Sequence, residues 1–405
     1  LKALDEFLVG RKVTELDSYV GLSAGSFLAA SLAGGITPDE MIGALEGTSP
    51  HLEQLRPIDF YRPNWVEAMG RSASFSLRLA TYLPGLVLDL VSVLPDLPGR
   101  LVPVVRRCVE APTYTHFEAL LMELAGEVSP KRQFPSIGAL VPSGLFDNAP
   151  LARWLGRNLA AVGVPDDFAG LRRKTGRTLH IAATNLDTAE EVMFGPDEDH
   201  GLTITQAVQA SSALPGLFRP ARFHGVDYID GGVRRTANID VAVQQGADLV
   251  LCYNPYRPYL NPPPDTGMRT AGFLADRGLR AVLNQVFRTL LHTRLAMGLE
   301  QYRRDEGFRG DIVVIEARET DAQFFDLNPL VVWKRADAVR HGFESVRCTL
   351  LDAADRLQPV FARYGIEFRP PRDAVEVAAA GKRKGRKRGP LAIVPRHKEQ
   401  GRPRG

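Results

Sequence analysis

Short apolar runs alternate with stretches of helical periodicity along most of the chain. Leu16 to Val20, Thr178 to Thr184, Val226 to Asp230, Asp248 to Tyr253 and Asp311 to Ala317 read as strands. Several are continuously apolar, as strands covered on both faces are. Thr37-Pro38-Asp39-Glu40 opens a helix, with Thr37 as N-cap, Pro38 at the first helical position and Glu40 reaching back as a capping box. Gly34-Gly35 stops the helix before it. From Val331 to about Tyr364 apolar residues recur at helical spacing, which predicts one long covering helix or a pair. The alternation predicts an α/β fold.

Residues from about 48 to 146 break this pattern and read as an inserted cap or lid. Within the insertion, Tyr82 to Val105 is densely apolar, but Asp89, Asp96, Arg100 and four prolines interrupt it. Its unbroken apolar runs are too short to span a bilayer. Residues 83–105 are therefore expected to be a core or lid segment, or a peripheral contact with membrane.

Composition adds bounds. The 405 residues are 44% hydrophobic and 24% charged, an ordinary globular balance. Cys108, Cys252 and Cys348 are odd in number and unclustered, which points to neither a disulfide framework nor a metal site. Charge is uneven: residues 381–405 carry ten Lys or Arg and one Glu, a net +9 in a chain of net +3, leaving a mildly acidic body. Residues 376–405 thus read as a basic, disordered tail able to attract anionic headgroups. With no nucleic-acid reading motif in the chain, no specific nucleic-acid partner is expected.

The chemistry lies in two segments. Gly21-Leu22-Ser23-Ala24-Gly25 sits between the apolar run ending at Val20 and the small-residue stretch Ser26-Phe27-Leu28-Ala29-Ala30, a strand, a sharp turn and a helix. A serine at such a tip occupies strained backbone, and glycines two positions either side let strand and helix approach without Cβ clashes. Ser23 would present its hydroxyl at a helix start, where free N–H groups favour negative charge. Downstream, Ser211-Ser212-Ala213-Leu214-Pro215 leads through Phe218 and Pro220 to His224-Gly225, a short strand, and then Asp230-Gly231-Gly232. A carboxylate at a strand end, held by a glycine turn, is placed where catalytic groups sit, although Asp-Gly also forms simple Asx turns.

In their order and spacing these motifs resemble the patatin-like phospholipase family, over residues 1 to about 255. Ala182 to Thr188 and Asn238 through Asp248 add to the likeness. The resemblance implies a three-layer α/β fold over residues 1–375, with a mostly parallel central sheet, helices on both faces and a helical cap. It implies a serine acyl hydrolase of lipid esters, with Ser23 as nucleophile and Asp230 as general base. Gly21, Ala24, Gly25, Gly231 and Gly232 would be motif and oxyanion support, with the Ala24 N–H as an oxyanion donor. No cofactor or metal is implied, and the location expected is cytoplasmic or peripheral to a membrane.

One departure stands out. Members of the family begin with a strand and a G-G-G-x-R-G-like loop that supplies oxyanion donors, whereas this chain opens at Leu1 to Leu8, which reads as the helix after that loop. The expectation is a chain truncated at its start; the alternative is a catalytically silent member that binds lipid or a partner. A different hydrolase arrangement, nucleophile then acid then histidine, is open on chain order alone through His292, His341 or His397. However, His292 and His341 lie in helical, Arg-rich sequence and His397 in the basic tail, and His224 reads as a turn residue.

Overall fold

The computed structural model describes residues 1–93, 97–111, 113–115, 118, 136–198, 201–261, 272–326, 331–373 and 391–396. The chain divides into two compact units, one made of Leu1–Arg62 with Phe146–Gly405 and the other of Pro63–Leu145.

In the larger unit, strand β1 (Ser18–Leu22) runs straight into helix α1 (Ala24–Ala33). Parallel to β1 lies β2 (Thr178–Asn185), and β2 also pairs antiparallel with β3 (Glu191–Phe194) and with β5 (Val226–Asp230). The strand β4 (Ala221–Phe223) pairs antiparallel with β5. A second sheet holds β6 (Leu249–Asn254) parallel to β7 (Asp311–Glu316), with β8 (Leu391–Val394) antiparallel on the other side of β7.

The sheets are therefore mixed, which corrects the expected mostly parallel arrangement. The reason is local. The β4–β5 pair is closed by a two-residue turn at His224-Gly225, with φ of 50° and 80°, and such a turn can only join antiparallel strands. β2 likewise folds back on β3 through residues 186–190. Parallel pairing survives where a long crossover intervenes, as between β6 and β7, which are separated by α3 (Leu279–Arg304).

Helix α1 and helix α2 (Ile204–Ser211) pack against β2 and bury Ala29, Ala30, Ala33, Ile204, Ala207 and Val208. Small residues on α1 permit close seating on the sheet. The apolar periodicity from Val331 onward resolves into two helices, α4 (Arg335–Asp352) and α5 (Ala354–Ala362). The expected capping box is present: the Thr37 N–H donates to Glu40 Oε2 at 2.8 Å and the Glu40 N–H to Thr37 Oγ1 at 3.3 Å.

The basic tail requires a correction too. Leu391-Ala392-Ile393-Val394 is a strand, with Ile312 opposite Val394 and Ile315 opposite Leu391. Its ends, Leu391 and Val394, are buried, and the Arg396 N–H donates to Asp311 Oδ1 at 2.9 Å. A β-favouring apolar run embedded among cations was outweighed by the charge count. Residues 374–390 and 397–405 of the tail, His397 among them, lie outside the described residues.

The described residues of the smaller unit include the helices Trp65–Val93, with Pro84 inside, and Leu97–Glu110, with Pro103 inside. Glu67 organises its base, accepting the Ser143 N–H and hydroxyl at 2.9 and 2.8 Å and the Arg71 Nε–H at 2.7 Å. Burial raises the Glu67 pKa, but these donors outweigh it and bring it down to about 2. Most side chains of the expected contact segment 83–105 lie outside the described residues. Among the described residues no helix is long and apolar enough to cross a membrane.

Candidate active site

The strand β2 sets the spacing of the site. Leu22 pairs with Ala182 on one side of β2, and Asp230 pairs with the next residue, Ala183, on the other. Ser23 and Asp230 thus leave the sheet at the same level on either side of one strand. The chain after Asp230 then crosses over the end of β2. A Cβ on Gly231 would lie 2.3 Å from Ala182 O, and one on Gly232 would lie 3.5 Å from Leu22 Cδ1, so Gly231 must be glycine for the crossing to occur.

Ser23 has φ 54° and ψ −137°, strained backbone for a residue with a side chain. Three contacts hold it. Its N–H donates to Ser211 Oγ at 3.0 Å, while its carbonyl accepts the Ser26 N–H at 3.0 Å and the Ser26 hydroxyl at 2.6 Å. Ser211 and Ser26 are fully buried, so this clamp lies behind the turn. Gly21 behaves as the sequence predicts, since a Cβ there would lie 2.6 Å from Ser26 Cα. Gly25 does not: its Cβ position is open, with nothing within 4 Å. The close strand-to-helix approach therefore falls on Gly21 alone. Ala24 and Gly25 begin α1, where N–H groups have no acceptor within the helix.

Asp230 is buried and accepts the Gly232 N–H at 2.8 Å through Oδ1. Its own N–H donates to Ala213 O at 3.1 Å, so Ser211 and Ala213 together anchor the Ser23 and Asp230 segments. Its Oδ2 is buried without a hydrogen-bond partner, and the neighbouring Ser23 hydroxyl draws the pKa of the carboxyl down. Burial pushes Asp230 up to about 6, against the opposing pull of Ser23 and Gly232.

Two residues at the site were not anticipated. Tyr256 lines the same cavity as Ser23 and Asp230, and burial and the nearby Asp230 charge raise its pKa. Arg288 on α3 is buried and ties down the loop carrying Tyr256, donating through Nη1 to Pro255 O at 3.0 Å and Arg257 O at 3.1 Å. Its guanidinium carbon lies 6.0 Å from the Tyr256 ring centroid and 5.4 Å from that of Phe325. The available signal was position: Tyr256 follows the carboxyl end of β6, where α/β proteins gather functional groups.

Ser23 and Asp230 open on a cavity of about 1240 Å³, whose walls include Leu22, Leu45, Phe60, Leu214, Phe287, Leu290 and Leu291. His341 also lines it, but its Nε2 is held by Asp321 at 2.8 and 2.9 Å. His292 lies 3.5 Å from Glu316 Oε1. Cys252 is buried in β6 and pushed up to about 12 by burial, an inert core thiol. Among the described residues no three His, Cys, Asp or Glu side chains converge as a metal site.

Comparison with known proteins gives a family and weaker individual likenesses. An uncharacterized protein of Escherichia coli, YjjU, is 26% identical over 121 residues, spanning 30% of this chain and 33% of that protein. A probable lipid hydrolase, 463L, of Invertebrate iridescent virus 6 is 31% identical over 71 residues, 18% of this chain and 24% of the viral protein. The chain thus matches a third or less of the length of these relatives. The crystal structure of VipD from Legionella pneumophila superposes with a TM-score of 0.34 at 16% identity, covering 84% of this chain and 62% of VipD. The model of the patatin-like phospholipase family matches residues 1–243, more than half of the sequence, and this chain belongs to that family.

Proposed function

We propose that the chain is a serine acyl hydrolase that cleaves fatty-acyl esters of lipids through a Ser23–Asp230 dyad. The observation that carries this reading is the pairing of a strained, helix-initiating serine with a buried carboxylate pushed up to about 6, at the floor of a largely apolar cavity. Family membership and the viral lipid hydrolase support it.

In the reaction, Asp230 Oδ2 takes the proton of the Ser23 hydroxyl as Oγ attacks the ester carbonyl carbon. The resulting oxyanion faces the first N–H groups of α1, that of Ala24 foremost, where the helix start favours negative charge. Collapse breaks the ester C–O bond, the leaving alcohol takes the proton from Asp230, and the acyl group remains on Ser23. Asp230 then accepts a proton from water as that water attacks the acyl-enzyme, and returns it to Ser23 Oγ as the acyl C–O bond breaks, releasing the fatty acid and restoring both residues. A carboxylate with an ordinary pKa of about 3.9 is a weak base, so burial is what makes Asp230 useful near neutral pH.

A fluorophosphonate probe tests the assignment. It should label the protein once, at Ser23, and Ser23→Ala should abolish both labelling and ester hydrolysis. Hydrolysis that persists in Ser23→Ala would sink the reading, and a folded chain that neither reacts nor hydrolyses would instead be a silent lipid-binding member.

A further inference from the structure

The helix α3 carries an apolar face turned to solvent. Leu279, Leu283, Val286, Phe287, Leu290 and Met297 fall within a sector of about 100° at helical spacing. All are exposed, Leu279 to 72% and Phe287 to 58%. The buried residues of the same helix, Ala281, Arg288, Leu295 and Leu299, lie on the opposite side. A stripe of this extent is unusual on a free surface and marks a contact.

Its position indicates the partner. Phe287 and Leu290 belong both to the stripe and to the cavity wall that holds Ser23 and Asp230. Nearby, Trp333 is 74% exposed and stands between Val331 and Lys334, which line the same cavity. Exposed Arg294 and Lys334 also border it. An apolar band with a tryptophan and long cations at its edge is the composition of a membrane–water interface. A protein seated on this face would cover the route to the cavity, whereas a lipid surface would open onto it.

We propose that the outer face of α3, with Trp333, docks the chain on a lipid bilayer and passes an acyl chain along Phe287 and Leu290 to Ser23. This rests on the reading of the cavity as a lipid-ester site, and it assigns docking to α3 rather than to residues 83–105 or the basic tail.

The test is co-sedimentation with neutral phosphatidylcholine vesicles, using the full chain in a Ser23→Ala background so that binding is read without turnover. The triple variant Leu279→Gln, Leu283→Gln, Val286→Gln changes stripe residues outside the cavity wall and keeps good helix formers. Vesicle affinity should fall about ten-fold or more, with no dependence on salt. Trp333→Ala should weaken binding independently. With Ser23 intact, hydrolysis of a water-soluble short-chain ester and the melting temperature should stay close to those of the parent. Equal vesicle binding by parent and triple variant overturns the proposal. So does a parent that ignores vesicles but runs as a dimer which the triple variant dissolves, because the stripe would then face a second copy. Vesicle binding lost in the triple variant, beside a parent that hydrolyses no ester, would uphold the docking face and reject the dyad.

Discussion

The Ser211 hydroxyl accepts the backbone N–H of Ser23 at 3.0 Å, joining the end of α2 to the strained turn at Ser23, 188 residues away in the chain. Because Ser211 is fully buried, water cannot replace it. Ser211→Ala would leave the Ser23 N–H without its acceptor, a loss of about 1–3 kcal/mol for a buried donor. The strained turn should relax, slowing fluorophosphonate labelling and lowering kcat while KM changes little. A variant with lower thermal stability but an unchanged labelling rate would show that Ser211 serves only the fold.

Asp230 ties activity and stability to pH in opposite senses. The proposed role as general base requires it to be ionised, so kcat/KM should fall with unit slope as pH drops through about 6. Its pKa is raised in the folded state, so the folded chain binds this proton more tightly than the unfolded chain between about 3.8 and 6. The stability contributed is complete at low pH and is lost as pH rises through about 6. Asp230→Asn should therefore abolish turnover yet raise stability at pH 8, by up to about 3 kcal/mol for a shift of roughly two units. His341→Asn, which breaks a pair with Asp321, should leave kcat within a few-fold. A loss matching that of Asp230→Asn would move the base to histidine.

The glycines of the motif should separate cleanly. At Gly21→Ala the new methyl would lie 2.6 Å from Ser26 Cα and 2.8 Å from Ala29 Cβ. Neither neighbour can yield without moving α1 from β1, so a loss of about 1–3 kcal/mol, or failure to fold, is expected. Gly25→Ala meets open space within a helix and should be neutral or slightly stabilising in a thermal melt.

What could be read from the residues follows from how local each signal is. The strand–turn–helix around Ser23 and the β5 end at Asp230 are written in a few neighbouring residues, and the structure brings the two together. The mixed sheet was harder: apolar runs report burial but not direction, and the His224-Gly225 turn that dictates antiparallel pairing was read only as a turn. Tyr256 and Arg288 carry no motif, because their role arises from the packing of α3 on the β6 loop. Ser211 belonged to a recognised segment, but that its hydroxyl is spent on Ser23 emerges only in three dimensions.

The C-terminal strand changes what a truncation should do. Treating residues 381–405 as a solvated tail predicts that deletion leaves the body untouched. Instead β8 pairs with β7 over four residues, buries Leu391 and Val394, and brings the Arg396 N–H to Asp311. Asp311 itself is fully buried; burial raises its pKa, but Arg363, Tyr364 and Arg396 outweigh that and hold it low. Removing residues 381–405 would strip β7 of a partner and expose two aliphatic side chains, each worth about 1.5–3 kcal/mol when fully buried. It would also leave a hydrophobic edge open to pairing with other chains. Loss of several degrees in melting temperature and increased aggregation are expected. Deleting only residues 397–405 keeps β8 and Arg396 and should leave the melting temperature unchanged, while removing three of the tail's ten cations. Equal melting temperatures for the two deletions would show that β8 contributes nothing to the sheet.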